Sequence, residues 1–123
     1  MRYLTARKRA EGKGASHTGT EHHWSMQVSA VGLALIVPTF LYIFGKALGS
    51  DYATVTETFS HPIPAIVTAL VLVFGLKHFN RGFEMMAQDY LRGSQLKAAI
   101  MFMTAFTYGL AATGLFALAK LAL

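Results

Sequence analysis

The chain has no cysteine and little charge, and both deficits restrict what it can be. Without cysteine it can hold neither a disulfide framework nor a cysteine-ligated metal or iron–sulfur cluster. Charged residues make up 14% of its 123 residues, against roughly 25% in soluble domains. Because 54% of the residues are hydrophobic, the composition also excludes a disordered chain. It predicts a protein whose surface faces a lipid bilayer.

Basic residues outnumber acidic ones, giving a formal net charge of +5, but they are gathered at one end of the chain. Five of the eleven fall within the first thirteen positions, namely Arg2, Arg7, Lys8, Arg9 and Lys13. Such a cluster is typical of a charged tail and not of a nucleic-acid-binding face. No apolar signal-peptide core follows it, so we expect residues 1–24 to be retained as a basic cytoplasmic N-terminal tail.

Three long stretches are apolar enough to cross a bilayer, which needs about 20 residues of helix. They predict an all-α membrane protein with transmembrane helices over about 25–46, 62–88 and 97–121, which together form a three-helix membrane anchor over 25–123. Small residues on the first and third helices suit close helix contact, either within the chain or with a partner. These small residues are Gly32, Ala105, Gly109 and Ala112.

The distribution of Lys and Arg between the loops predicts the orientation of the helices. The loop after the second helix adds Arg92 and Lys97 to the five basic residues of the tail, while the opposite side has Lys46 and Lys120. Seven basic residues against two place the N-terminus inside and the C-terminus outside. The short loop between the second and third helices predicts that these two helices are antiparallel neighbours.

The second helix contains a stripe of ionisable residues. Lys77, Arg81 and Glu84 are spaced four and three apart, so they share one face and Glu84 can pair with Arg81. Ionisable groups within a membrane helix are costly and indicate a functional site by default. The alternative is a self-paired helix end whose long side chains reach back to the interface.

His78 lies on a different face of this helix, about 16 Å from Asp89 at a rise of about 1.5 Å per residue. Gly75 and Gly82 flank it and leave room beside its ring. A neutral imidazole in a membrane helix with such room is what axial ligation of haem requires. The alternative is a histidine that only hydrogen-bonds a neighbouring helix.

The chain lacks a second ligand at the depth of His78. No other histidine, and no methionine, stands at an obviously matching depth on another predicted helix. A haem with two axial ligands would therefore take its second ligand from another polypeptide, which makes this chain a subunit.

Asp89 and Tyr90 follow at the end of the same helix. A tyrosine hydroxyl beside a carboxylate suits a quinone headgroup, whose carbonyl oxygens need protons as electrons arrive. The alternative is ordinary, because interfacial tyrosines and loop-capping aspartates are both common.

The combination of these residues is more specific than any one of them. His78, three residues, Gly82, six residues and then Asp89 and Tyr90, on the second of three helices, resembles the hydrophobic membrane-anchor D subunit of succinate dehydrogenase, respiratory complex II. The stretch GTEHHWSMQVSAVGL also resembles the N-terminal region of the alphaproteobacterial type. The resemblance extends over the whole chain in length and topology, although the motifs occupy a short part of it.

The resemblance implies a role for each of these residues. His78 would be the axial ligand that this subunit gives to the iron of a haem b shared with a companion C subunit of the cytochrome b type. Tyr90 would hydrogen-bond a ubiquinone carbonyl, and Asp89 would shape or protonate that site. The flavoprotein and iron–sulfur subunits would bind at the inner face of the bacterial inner membrane, and no residue of this chain would bind succinate.

One position departs from the family pattern. Relatives often carry an arginine near the start of the first helix that can meet the haem propionates, whereas this chain has Gln27. An amide can donate a hydrogen bond but cannot neutralise a carboxylate. Arg81 or Lys77 are candidate propionate contacts in its place.

Two other functions remain open at the level of sequence. The chain could be a non-redox assembly or stabilising subunit of another membrane complex, with His78 only linking helices. It could also anchor a fumarate reductase-like haem b complex, although most single-chain forms hold two histidines per haem in one polypeptide.

Overall fold

The computed structural model describes residues 5–12 and 19–123, and these form helices and connecting turns only. In chain order the helices are α1 (Ala6–Glu11), α2 (Gly19–Ala47), α3 (Tyr52–Ser60), α4 (Pro62–Tyr90) and α5 (Gly93–Ala122). Three segments are long and apolar enough to cross a membrane: His23–Ala47 within α2, and the whole of α4 and α5. The prediction of an all-α protein with three membrane-spanning helices is confirmed.

The long helices extend beyond the apolar stretches that predict them. α2 begins at Gly19 rather than near residue 25, and α5 begins at Gly93 rather than near residue 97. Hydropathy marks the part of a helix that suits lipid, and a polar extension of the same helix has no such signal. Glu21 in the first turn of α2 suits the positive end of the helix dipole.

The predicted N-terminal tail is only partly described. Residues 1–4 and 13–18 lie outside the described residues, as do the side chains of Lys8, Arg9 and His22. The remainder includes α1 and the first turns of α2.

The segment between the first two spans forms α3. Asp51 caps its N-terminus, with its carboxylate oxygen 3.0 Å from the Thr54 backbone N–H that donates to it. His61 then adopts an extended conformation, and Pro62 begins α4, where a missing N–H costs nothing. α3 contacts all three spans at this end of the protein.

α4 is the central helix. It packs against α2 on one side and α5 on the other, and within the described ranges no Cα atom of α2 lies within 8 Å of a Cα atom of α5. The turn at Leu91 and Arg92 makes α4 and α5 antiparallel neighbours, as predicted. In the most apolar 18 residues of each span, 6% of the residues are buried inside the chain, so the spans leave most of their side chains to lipid or to partner helices.

The three small residues of α5 that the sequence analysis names do not contact other helices of the chain. Ala105, Gly109 and Ala112 are all exposed, and a Cβ at Gly109 would meet no atom within 4 Å. The close approach of α5 to α4 occurs at Gly114, where a Cβ would stand 2.5 Å from Cδ2 of Leu72. Of the two explanations for the predicted small face, packing inside the chain is therefore wrong for these three residues.

Candidate functional site

His78 faces α2 and contacts a buried serine. Its Nδ1 lies 2.9 Å from Oγ of Ser29, and this Oγ donates a hydrogen bond to the Met26 carbonyl oxygen at 2.8 Å. Ser29 is 4% exposed, whereas the ring of His78 is half-buried. A hydrogen bond to a neighbouring helix is thus present, but it uses only one of the two ring nitrogens.

The two glycines beside His78 have different surroundings. A Cβ at Gly82 would lie 3.4 Å from Cε of Met26, which is ordinary contact with α2. A Cβ at Gly75 would meet no atom within 4 Å, and the same holds for Gly32 on α2. Gly75 and Gly32 both lie about one turn from the Ser29–His78 contact toward the α3 end of the protein. The positions that side chains would occupy at these two glycines are therefore open.

The charged stripe lies toward α5, not toward α2. Lys77, Arg81 and Glu84 line a cavity of about 510 Å³ between α4 and α5. Arg81 and Glu84 form the expected ion pair, with 3.0 Å between Nη1 and Oε2, and their side chains are 40% and 21% exposed. At the same cavity Asn80 Nδ2 donates to Thr104 Oγ1 at 3.4 Å. Lys77 and His78 are adjacent in α4 but therefore face different neighbouring helices.

Asp89 and Tyr90 lie at the other end of α4 from α3 and are exposed. Tyr90 is 82% exposed. Neither side chain has a hydrogen-bond partner in the part of the chain that the structure describes. Their polar atoms are therefore available to groups outside this chain.

Gln27 is also exposed and lies on a face of α2 that is open to the surroundings. It lines a shallow depression together with Trp24, Val28, Ala30 and Val31. Neither this depression nor the cavity at Arg81 includes His78. The structure therefore brings His78 together with Ser29, and not with Gln27 or with the charged stripe.

Sequence reasoning does not single out Ser29. It is the only hydroxyl-bearing residue between Ser25 and Thr39, and at about 1.5 Å per residue it lies about 15 Å from the start of α2. His78 lies about 18 Å from the end of antiparallel α4, by the same rise per residue. The two depths match only with the helix ends that the structure shows, because the predicted start near residue 25 would put Ser29 only about 6 Å into the first helix.

Comparison with known proteins identifies the group to which this arrangement belongs. Residues 1–112 match the family of succinate dehydrogenase/fumarate reductase transmembrane subunits. The chain belongs to this family. It is therefore a multi-pass membrane protein and a subunit of an oxidoreductase complex, and the resemblance drawn from the His78 to Tyr90 motif is confirmed at the level of the family.

A curated relative covers the full chain. The succinate dehydrogenase hydrophobic membrane anchor subunit of Paracoccus denitrificans is 42% identical over 123 residues, which are all of this chain and 95% of the relative. No solved structure shows significant similarity to this chain.

Proposed function

We propose that this chain is the membrane anchor subunit of a succinate:ubiquinone oxidoreductase in a bacterial inner membrane. Family membership and full-length similarity to an anchor subunit support this function. Its role is to tether a flavoprotein subunit and an iron–sulfur subunit, and to complete a cofactor site with a C subunit. The observation that carries the proposal is His78, an imidazole deep within a membrane span with one nitrogen engaged and the other turned from that contact.

The surroundings of His78 fit a haem b. The imidazole would hold the haem iron through Nε2, and the C subunit would supply a further ligand. Ser29 orients the ring, and the open space at Gly75 and Gly32 accommodates a flat macrocycle. When bound, the haem supplies one-electron redox chemistry close to the quinone site.

Arg81 and Lys77 remain the candidate contacts for the propionates in this proposal. Arg81 already has Glu84 as its partner, so a propionate would have to share or displace that carboxylate. Lys77 is exposed and makes no ion pair among the described residues. Lys77 is therefore the freer cation of the two, and its flexible stem can reach around α4.

Tyr90 and Asp89 form this chain's part of the ubiquinone site. The Tyr90 hydroxyl donates a hydrogen bond to a quinone carbonyl oxygen, and the Asp89 carboxylate passes protons from the aqueous phase to the reduced oxygen. In the predicted orientation, with the N-terminus inside, both residues lie on the side of the soluble subunits. Their exposure suits a pocket that partner subunits complete.

The experiment that tests the proposal is a dithionite-reduced minus oxidised optical spectrum of the purified complex, for wild type and for His78→Ala. We expect a b-type signal in wild type and its loss in the variant, with the four subunits still co-purifying. A wild-type complex without a b-type signal would instead favour a non-redox assembly subunit. An unchanged signal in the variant would remove His78 from the haem site.

A further inference from the structure

The hydroxyl of Ser29 stands between two groups that compete for its single proton. The Met26 carbonyl oxygen is 2.8 Å away and can only accept a hydrogen bond. His78 Nδ1 is 2.9 Å away and can donate or accept, depending on its tautomer. If the hydroxyl donated to Nδ1, no proton would lie between Ser29 Oγ and the Met26 carbonyl oxygen. The two oxygens would then repel each other at 2.8 Å.

Only one placement of the protons satisfies all three groups. The hydroxyl proton goes to Met26, and Ser29 Oγ accepts a hydrogen bond from Nδ1–H of His78. Because Ser29 is 4% exposed, bulk water is not available to satisfy these groups in another way. A neutral imidazole with its proton on Nδ1 has its lone pair on Nε2.

We propose that Ser29 is the positioning residue that fixes the tautomer and the ring angle of His78, so that Nε2 presents its lone pair to the haem iron. This inference rests on the proposed haem ligation by His78. Histidines that bind metals commonly donate their other N–H to an acceptor, which raises the basicity of the ligand and fixes its ring. The Met26 carbonyl takes part indirectly, because it holds the hydroxyl proton away from the ring.

A simpler explanation is that Ser29 is a small residue that allows α2 and α4 to approach, with its hydroxyl satisfied by Met26 alone. The two explanations differ in what alanine and threonine do at this position. Alanine keeps the small volume but removes the acceptor, whereas threonine keeps the hydroxyl. Ser25 lies one turn away on α2, is half-buried, and has no hydrogen bond to His78, so Ser25→Ala is a matched control.

The test uses the complete complex with Ser29→Ala, Ser29→Thr, Ser25→Ala and His78→Ala. Three properties are measured: haem per complex, the rate of haem loss to excess apomyoglobin, and the haem midpoint potential. We expect Ser29→Ala to lose haem about 10-fold faster, as for the removal of other groups that hold metal-binding histidines. Its midpoint potential should rise, because a less basic imidazole stabilises the ferric state less. Ser29→Thr and Ser25→Ala should stay near wild type.

The outcomes separate this inference from the proposed function. If His78→Ala abolishes the haem signal while Ser29→Ala matches wild type in haem-loss rate and potential, haem ligation stands and the role of Ser29 is overturned. If Ser29→Thr is as impaired as Ser29→Ala, the hydroxyl is not the cause, and the inference is also overturned. If His78→Ala keeps the wild-type haem signal, the proposed ligation fails and this inference fails with it.

Discussion

The two sides of α4 differ in polarity and in their neighbours. Toward α2, the helix presents one imidazole that is hydrogen-bonded to the buried Ser29. Toward α5, it presents Lys77, Arg81 and Glu84 around an open cavity. His78 follows Lys77 directly in the chain, but a helix turns about 100° per residue and sends the two side chains to different sides. A single helix can therefore keep an imidazole apart from charges that would change its protonation.

The two sides of α4 also differ in where their polar side chains find partners. The His78 side is completed by another helix of the same chain through Ser29. The charged side is completed mostly from within α4, by the ion pair of Arg81 and Glu84. The side that carries the proposed ligand thus depends on tertiary contact, whereas the charged side depends on local spacing.

Separate substitutions of the adjacent residues His78 and Lys77 should give the largest difference, which is in haem content. His78→Ala should reduce haem per complex to background, whereas Lys77→Met should retain most of the haem, because it removes a candidate propionate contact and leaves the iron ligand in place. Pyridine haemochrome assays on the two purified complexes measure this difference. Equal loss in both variants would mean that the two sides of α4 do not have separate roles.

Tyr90→Phe tests whether the exposed end of α4 has a role in quinone reduction that is separate from the role of His78 in haem binding. Loss of the hydroxyl should lower succinate:ubiquinone reductase activity by about 10-fold, because it removes one hydrogen bond to the quinone, worth about 1 kcal/mol. Haem content should remain that of wild type. Succinate oxidation with a soluble artificial acceptor is the control, and a parallel fall in that activity would mean that assembly had failed.

Arg81→Gln tests whether the charged side acts on the haem. It leaves the Glu84 carboxylate without its cation, and we expect a loss of about 1 kcal/mol or less in stability for this partly exposed pair. If Arg81 also meets a propionate, the haem midpoint potential should fall, because a nearby positive charge favours the ferrous form. Redox titration checks this, and an unchanged spectrum and potential would count against the contact.

A pair of glycines on α5 sharpens the comparison between packed and open helix faces. Gly114→Ala places a Cβ against Leu72 and should destabilise the subunit by about 1 kcal/mol, since the end of a leucine side chain can shift. Gly109→Ala meets open space and should cost nothing within this chain. Thermal unfolding of the purified complex compares them. A larger loss for Gly109→Ala would indicate that a partner helix covers that face.

The smallest effect is expected at Asp51, outside the membrane spans. Hydrogen bonds from the Thr54 side chain and its backbone amide hold the pKa of Asp51 below its usual value. A lowered folded-state pKa gives stability that is present above the unfolded value, about 4, and is lost as the pH falls through the folded value. Asp51→Ala should remove this contribution to the acid dependence of thermal stability, and an unchanged profile would contradict it.

The candidate site was predictable in part. His78, Asp89 and Tyr90 stand out because an imidazole within an apolar span and a carboxylate beside a tyrosine at its end are visible in the order of residues. Ser29 does not, because a serine in an apolar helix usually bonds its own backbone, as this one does to Met26. Its second contact depends on the rotation of α2 against α4.

By itself, the sequence determined the three spans, the Arg81–Glu84 pair and the family, because apolar length, helical spacing and motif order are local properties of a chain. Only the tertiary structure decided that His78 meets Ser29, that α5 approaches α4 at Gly114, and that the face with Gly109 stays open. Those contacts depend on how one helix is rotated and displaced against another. Side chains from two distant segments determine that rotation together, and neither segment contains it alone.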